Sequence, residues 1–405
     1  MARAPRFLLY SHDAFGFGHT RRNLAIASAI RVRHSDAPIL VATSIREASR
    51  LGLPEGTELI YLPSIKKIAN ESYAARYVAV PPDDIMRLRA SLLLAAVKTF
   101  QPDVLLVDKH PLGVREELVP ALDEQRQQGR SCVLGLREIL DEPEVVRREW
   151  ALYDLPERIA EYHDRILIYG HPDIFDPVTE YGFPATIVPR VRFCGVVLNR
   201  DEVLTRNEDR DPRGEHARPS VLATVGGGED GKHILEAFIE ASIGAPWDGI
   251  VVAGTMMPPA DRERIARAAA DAELEFHVFL SGLTKWYEQV DAAVCMGGYN
   301  TVAEALFMGV PTVCIPRVRP RKEQLIRATA LTELGLMNML HPDQLTVAAL
   351  REAITRALAH PREQLRRRID ATLDFTGADK AAVELLELAN SPAEPLVPSG
   401  DKVVR

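Results

Sequence analysis

Residues 296–324 begin Met296-Gly297-Gly298-Tyr299-Asn300-Thr301-Val302-Ala303-Glu304-Ala305-Leu306-Phe307-Met308-Gly309-Val310-Pro311-Thr312-Val313-Cys314-Ile315-Pro316, pass through a basic loop, and end at Glu323-Gln324. A glycine pair opens a short helix that closes at Gly309, a buried strand follows, and a polar pair sits just beyond the strand's C-terminal end. The start of a helix leaves unpaired backbone N–H groups and a partial positive charge. Gly297 and Gly298 would let a diphosphate approach that backbone, where side chains would block it. Glu304 lies one turn into the helix, where a carboxylate can accept both hydroxyls of a ribose. A purely structural alternative is a capping box over Thr301–Glu304.

Working outward, short β-like runs alternate with helical patterns along the whole chain, which predicts an α/β fold of parallel sheets with helices on both faces. In the first half the expected strands are Phe7–Ser11, Ile39–Thr43, Glu58–Tyr61, Val104–Val107, Ser131–Leu136 and Arg165–Tyr169. In the second they are Ser220–Val225, Ile250–Ala253, Glu275–Phe279, Ala292–Cys295 and Thr312–Ile315, with helices near Lys232–Ala241, Pro259–Ala270, Thr284–Gln289, Thr301–Met308 and Glu323–Leu334. Asn199 to Pro219 holds six acidic and five arginine residues with almost no apolar ones, which is a linker composition. The expected organisation is therefore two Rossmann-like doubly wound domains, 1–198 and 220–375, joined by a polar linker, 199–219. A C-terminal helix, 376–390, and a disordered tail, 391–405, complete it. Open sheets of this kind bind ligands at their carboxyl edges, so the two domains are expected to face a cleft.

Composition narrows the function. Hydrophobic residues at 46% and charged residues at 26% match a soluble globular protein, and a net charge of −8 argues against a general nucleic-acid binder. Cys132, Cys194, Cys295 and Cys314 are widely spaced with no Cys-x-x-Cys, so buried free thiols are expected. The N-terminus runs directly into an apolar stretch without a leader pattern, and no run reaches 18 apolar residues, so the expected location is cytoplasmic. The helix Met86–Phe100, with Arg87, Arg89 and Lys98 at its edges, is expected to pack on the sheet; membrane docking is the alternative. Oligomeric state is silent in the sequence.

Ser11-His12-Asp13-Ala14-Phe15-Gly16-Phe17-Gly18-His19-Thr20-Arg21-Arg22-Asn23 follows the first strand and opens the first helix. His19 is the leading candidate for a general base, since imidazole is the commonest such group near neutral pH; a helix-capping histidine is the structural alternative. Asp108 ends the strand Val104–Val107 and points from a carboxyl edge, with His110 close behind. His12, Asp13, Gly18, Arg21, His110 and Arg137, together with Tyr73, Tyr77, Glu138 and His171, are candidates to line a second substrate's pocket in the first domain, the acceptor side of the resemblance given below. Gly226-Gly227-Gly228-Glu229-Asp230-Gly231 is a second phosphate-compatible loop. It matches G-x-G-x-x-G, but the next strand is followed by Gly254-Thr255 rather than an acidic residue, which disfavours a dinucleotide cofactor. Arg317, Arg319, Arg321 and Lys322 can offset charge on a departing diphosphate, and Arg21 and Arg22 can bind phosphate. The one obvious Asp-x-Asp, Asp209-Arg210-Asp211, falls in the linker, so no metal is expected there.

The run from Gly297-Gly298 to Gln324 resembles the donor-site signature of GT-B glycosyltransferases, especially the branch containing the lipid-II-forming N-acetylglucosaminyltransferase and the UDP-glycosyltransferases. The resemblance implies that Glu304 holds the ribose, that Gly297, Gly298, Asn300 and Thr301 hold the diphosphate, and that Glu323 and Gln324 contact the sugar hydroxyls. Gly226, Gly227 and Gly228 match the loop facing the phosphates or the acceptor, and Arg317 joins the donor side. His19 matches the family's catalytic base and Asp108 the aspartate paired with it in some plant members. The family's usual acidic or polar residue opening the last motif is replaced by Arg321-Lys322. The implied activity is metal-independent, inverting transfer of a sugar from a UDP- or dTDP-type donor to a hydroxyl or amine, with no cofactor. Nucleotide-sugar 2-epimerases or hydrolases of the same fold, and a non-catalytic nucleotide-sugar-binding subunit, are the alternatives.

Overall fold

Val104-Leu105-Leu106-Val107 is apolar without alternation, as befits a strand covered on both faces, and every residue of Val104–Asp108 is buried. The computed structural model describes residues 3–12, 18–69, 72–199, 218–280 and 282–391. The chain divides into two compact units, Met1–Asn199 with Thr376–Arg405, and Arg200–Phe375.

The first unit holds β1 (Phe7–Ser11), β2 (Ile39–Thr43), β3 (Thr57–Tyr61), β4 (Ile65–Ala69), β5 (Ser72–Ala75), β6 (Val104–Asp108), β7 (Ser131–Arg137), β8 (Arg165–Tyr169) and β9 (Val191–Phe193). Seven of these form one parallel sheet in the order β3-β2-β1-β6-β7-β8-β9. β4 and β5 make a separate antiparallel hairpin. The second unit holds β10 (Ser220–Thr224), β11 (Asp248–Val252), β12 (Glu275–His277), β13 (Ala292–Cys295), β14 (Thr312–Cys314) and β15 (Asn338–Met339). They form a parallel sheet ordered β12-β11-β10-β13-β14-β15.

Both sheets reverse direction beside their first strand: between β1 and β6 in one unit, between β10 and β13 in the other. At such a switch point the two flanking connections leave in opposite directions, so a crevice opens at the strands' carboxyl ends. The sequence places its glycine-rich loops and Asp108 directly after these four strands. Leu8, Tyr10, Leu93, Val97, Leu105 and Val107 pack one face of the first sheet, and Val221, Phe238, Trp247, Val294, Val313 and Ile354 pack one face of the second.

The elements depart from the sequence reading at their ends. The helix after β13 spans Tyr299–Phe307, starting two residues earlier than expected, because Gly298 rather than a later residue is its N-cap. The hairpin β4–β5 and the short strands β9 and β15 were not expected. The helix Pro82–Phe100 buries Ile85, Met86, Leu93 and Val97 and leaves Leu88 and Leu92 partly exposed. No helix among the described residues is long and apolar enough to cross a membrane. The helix Gly377–Asn390 belongs to the first unit, where it packs against the helix Gly18–Arg33, and Arg33 pairs with Asp379 at 3.2 Å. The bulk of the expected linker (200–217) and the tail beyond Ser391 lie outside the described residues.

In the second unit, Arg362 donates to the carbonyls of Tyr287 at 2.7 Å, Met308 at 2.8 Å and Val290 at 3.1 Å. One guanidinium thus satisfies carbonyls left over at the C-terminal ends of two helices, Leu283–Gln289 and Tyr299–Phe307.

Candidate functional site

In the first unit, Ser11 and Asp108 are register partners across β1 and β6, so the switch point sets the two strand ends side by side. The helix Gly18–Arg33 starts close after β1 and carries His19 in its first turn. His19 Nδ1 lies 3.1 Å from Asp108 Oδ2, and Arg22 Nη2 reaches the same carboxylate at 2.7 and 3.0 Å. Asp108 is fully buried, and burial alone would raise its pKa. The Arg22 charge, followed by His19, outweighs that and holds the carboxyl at about 2. Immediately beyond, Lys109 adopts φ 73°, a left-handed conformation unusual for a residue with a side chain, and its N–H donates to Gly135 O at 2.8 Å. The turn at the end of β6 is thereby fixed.

His12 is buried at the end of β1, edge-on to His110 at 4.8 Å and to Tyr73 at 5.9 Å between ring centroids. Burial first, then the neighbouring His110 and Lys109, push its pKa well below the ordinary histidine value, so it stays neutral. Gly18, Arg21, His110, Arg137 and His171 are half-buried, Glu138 is buried and Tyr77 exposed. Asp13 lies outside the described residues.

Arg22 corrects the sequence reading. Its side chain is 2% exposed and engaged with Asp108, with the guanidinium 5.2 Å above the Tyr169 ring, so it is not placed to meet a phosphate in solvent. Gly135 makes room for that ring: a Cβ there would lie 2.0 Å from Tyr169 Oη. The sequence offered no signal for this packing.

In the second unit, β10 runs into Gly226 and Gly228, with φ 64° and 91°. A Cβ on Gly228 would sit 2.1 Å from Ala253 O, so no other residue fits. Gly231 is the N-cap of the helix Lys232–Ser242. Across the switch point, β13 runs into Gly297 at φ 87°, where a Cβ would meet Cys314 Sγ at 2.9 Å, whereas a Cβ on Gly298 would meet no described atom within 4 Å. Gly297 is thus demanded by the turn, and Gly298 leaves open space at the helix start. With Gly298 as N-cap, Thr301 already stands inside the helix, so the capping box over Thr301–Glu304 does not form. Asn300 and Thr301 are half-buried on that helix and Glu304 is buried one turn further.

Gln324 Oε1 accepts from the Arg317 backbone N–H at 3.0 Å. The Arg317 side chain donates to Asp230 at 3.2 Å and lies 3.8 Å from Glu323. The basic loop is thus tied both to the loop after β10 and to the polar pair. Arg327, not singled out from sequence, is buried, donates to Gly297 O at 3.1 Å and lies 5.5 Å from the Tyr299 ring centroid. Among the described residues, no group of three or more His, Cys, Asp or Glu side chains could hold a metal ion; Asp209 and Asp211 lie outside them. The four cysteines are buried and in no disulfide among the described residues.

Residues 260–384 match the glycosyltransferase family 28 C-terminal domain. The solved structure of CalG4, the calicheamicin glycosyltransferase, shares the fold with a TM-score of 0.63 over 97% of this chain and 100% of that one, at 19% identity. Acinetobacter baumannii MurG shares it with a TM-score of 0.58 over 96% of this chain and 99% of that one, at 14% identity. The chain thus shares the GT-B fold of these structures and matches a glycosyltransferase domain over residues 260–384. Among individual relatives, the chain is 29% identical over 216 residues to the NDP-glycosyltransferase YjiC of Bacillus licheniformis, a match spanning 52% of each. It is 25% identical over 399 residues to the protein of that name from Bacillus subtilis, covering 94% of this chain and 96% of that one. It is 27% identical over 144 residues to the UDP-N-acetylglucosamine--N-acetylmuramyl-(pentapeptide) pyrophosphoryl-undecaprenol N-acetylglucosamine transferase of Corynebacterium glutamicum, covering 36% of this chain and 39% of that one.

Proposed function

We infer that the chain transfers a sugar from a nucleoside-diphosphate donor, of the UDP or dTDP type, to a hydroxyl or amine acceptor, with inversion and without a metal. The observation carrying this reading is the turn after β13. Gly297 and Gly298 open a helix toward free space at the switch point, and the buried Glu304 carboxylate stands one turn inside.

In this reading the second unit holds the donor. The N–H groups at the start of the helix Tyr299–Phe307, with Asn300 and Thr301, take the diphosphate, and Glu304 takes the ribose hydroxyls. Glu323 and Gln324 meet the sugar, while Arg317 offsets charge on the departing diphosphate. The first unit holds the acceptor. His19 Nε2 removes the acceptor proton, and the acceptor oxygen or nitrogen attacks the anomeric carbon opposite the diphosphate. The bond from that carbon to the diphosphate oxygen breaks, and its electron pair leaves with the nucleotide. Asp108 supports the imidazolium that forms.

The test is nucleotide release from UDP- and dTDP-sugars across a panel of hydroxyl and amine acceptors. Acceptor-dependent release is expected, reduced by orders of magnitude in His19→Ala while nucleotide binding persists. Rapid release or epimerisation without acceptor, or near-normal turnover in His19→Ala, would overturn it.

A further inference from the structure

We propose that Arg22 is the positioning residue of the His19–Asp108 pair: it pins the carboxylate so that Oδ2 accepts the proton of His19 Nδ1, leaves Nε2 as the proton-accepting nitrogen, and balances the Asp108 charge so that the imidazole stays neutral. This deepens the reading in which His19 is the base, and rests on it for its catalytic meaning.

Arg22 stands three residues after His19 on one helix, so both side chains emerge on the same face. Its Nη2 lies within hydrogen-bond distance of three atoms at once: Asp108 Oδ2 at 2.7 Å, Asp108 Oδ1 at 3.0 Å and His19 Nδ1 at 2.9 Å. His19 Nδ1 in turn lies 3.1 Å from Oδ2. These distances admit two proton arrangements. In one, Nδ1 carries the proton and donates to Oδ2. In the other, Nδ1 accepts from Arg22, Nε2 carries the proton, and a lone pair on Nδ1 confronts the carboxylate. The first gives up the Arg22–Nδ1 bond and leaves Arg22 its two bonds to the carboxylate, in exchange for a charge-assisted bond from Nδ1 to Oδ2, and it is the arrangement in which Nε2 can act as base.

The electrostatics point the same way. A lone buried carboxylate 3.1 Å from an imidazole favours imidazolium, a form that cannot accept a proton. Arg22 brings a fixed positive charge to the same carboxylate, so the pair presents little net charge to His19. Among the described residues, His12 at the end of β1 interacts electrostatically with His19, and Lys109 and His110 in the turn after β6 interact with His12. Arg22 itself is held by burial, by both Asp108 oxygens and by the Tyr169 ring face, which a surface arginine would lack.

The test is histidine NMR on the full-length protein labelled with 15N and 13C in its histidines, the His19 signals being assigned from His19→Asn. In the wild type, His19 is expected with its proton on Nδ1; a proton on Nε2 in the neutral ring overturns the proposal without any Arg22 variant. In Arg22→Gln the protonation midpoint of His19 is expected to rise by about one pH unit or more, as for an imidazole left beside an unbalanced carboxylate, and Arg22→Lys is expected to bring it back. A midpoint that stays put while Arg22→Gln merely loses thermal stability overturns it, since a structural arginine would behave so. Normal turnover in His19→Ala would remove the base reading but leave these NMR outcomes intact, so the two failures are distinguishable.

Discussion

His19 Nδ1 and Asp108 Oδ2 stand 3.1 Å apart because the helix carrying the histidine follows β1 and the aspartate ends β6, the strands that flank the switch point. Asp108 is also the anchor of Arg22, so its replacement has two consequences. Asp108→Asn should lower turnover by orders of magnitude and, by leaving the Arg22 charge buried without its carboxylate, cost about 3–5 kcal/mol of stability. Chemical denaturation and nucleotide-release assays on the same preparation check both. Full stability with full activity would contradict the pairing.

The fully buried His163, whose ring Nε2 meets Pro111 O at 3.0 Å, gives a pH dependence. Burial, partly offset by that hydrogen bond, brings its pKa down to about 4. A histidine depressed in the folded state contributes stability above its unfolded value, about 6.5, and loses it as pH falls toward the folded one. Denaturation midpoints should therefore drop between about pH 6.5 and pH 4 in the wild type, and His163→Gln should flatten that slope. An unchanged slope would assign the acid sensitivity elsewhere. Asp108, held at about 2, should give up its contribution only below about pH 4.

Beneath the first site, Arg89 and Glu117 form a fully buried pair at 2.6 and 2.7 Å, and Tyr10 donates to Glu117 at 2.5 Å. Removing one partner should cost far more than removing both. Glu117→Ala should lose about 3–5 kcal/mol, while the double change Arg89→Met with Glu117→Leu should recover most of it. Equal losses in urea titrations would show that the pair's charges are not the issue.

Gly228 and Gly297 are demanded by space and by left-handed φ, Gly298 by neither. Gly297→Ala should therefore destabilise the second unit, while Gly298→Ala should fold normally and weaken nucleotide binding alone. Thermal unfolding with and without UDP separates the two. Unaltered nucleotide affinity in Gly298→Ala would move the ligand away from this turn.

Much of this architecture was legible in the chain because parallel strands buried on both faces leave unbroken apolar runs, as in Val104–Val107 and Ala292–Cys295. The hairpin Ile65–Ala75 was not, since its first strand opens Ile-Lys-Lys-Ile; nor were β9 and β15, which at three and two residues are too short to set a period. The return of Gly377–Asn390 to the first unit is a long-range choice with no local sign. In the candidate site, His19 and Asp108 emerged from sheet-edge logic together with a family resemblance. Arg327, and the carboxylate that Arg22 meets in place of a phosphate, did not, because an arginine on a helix looks solvent-exposed until tertiary packing supplies its carboxylate, carbonyl or ring.

If the turn after β13 and the helix behind it hold a nucleoside diphosphate, Glu304 should carry much of its affinity. Calorimetric titration of UDP and dTDP into the wild type and into Glu304→Ala tests it most directly. Saturable binding to the wild type is expected, with a loss of about tenfold or more in Glu304→Ala, the size expected for a charge-assisted bond to a ribose hydroxyl. Equal affinity in the two proteins, or no binding of either nucleotide to the wild type, would contradict it.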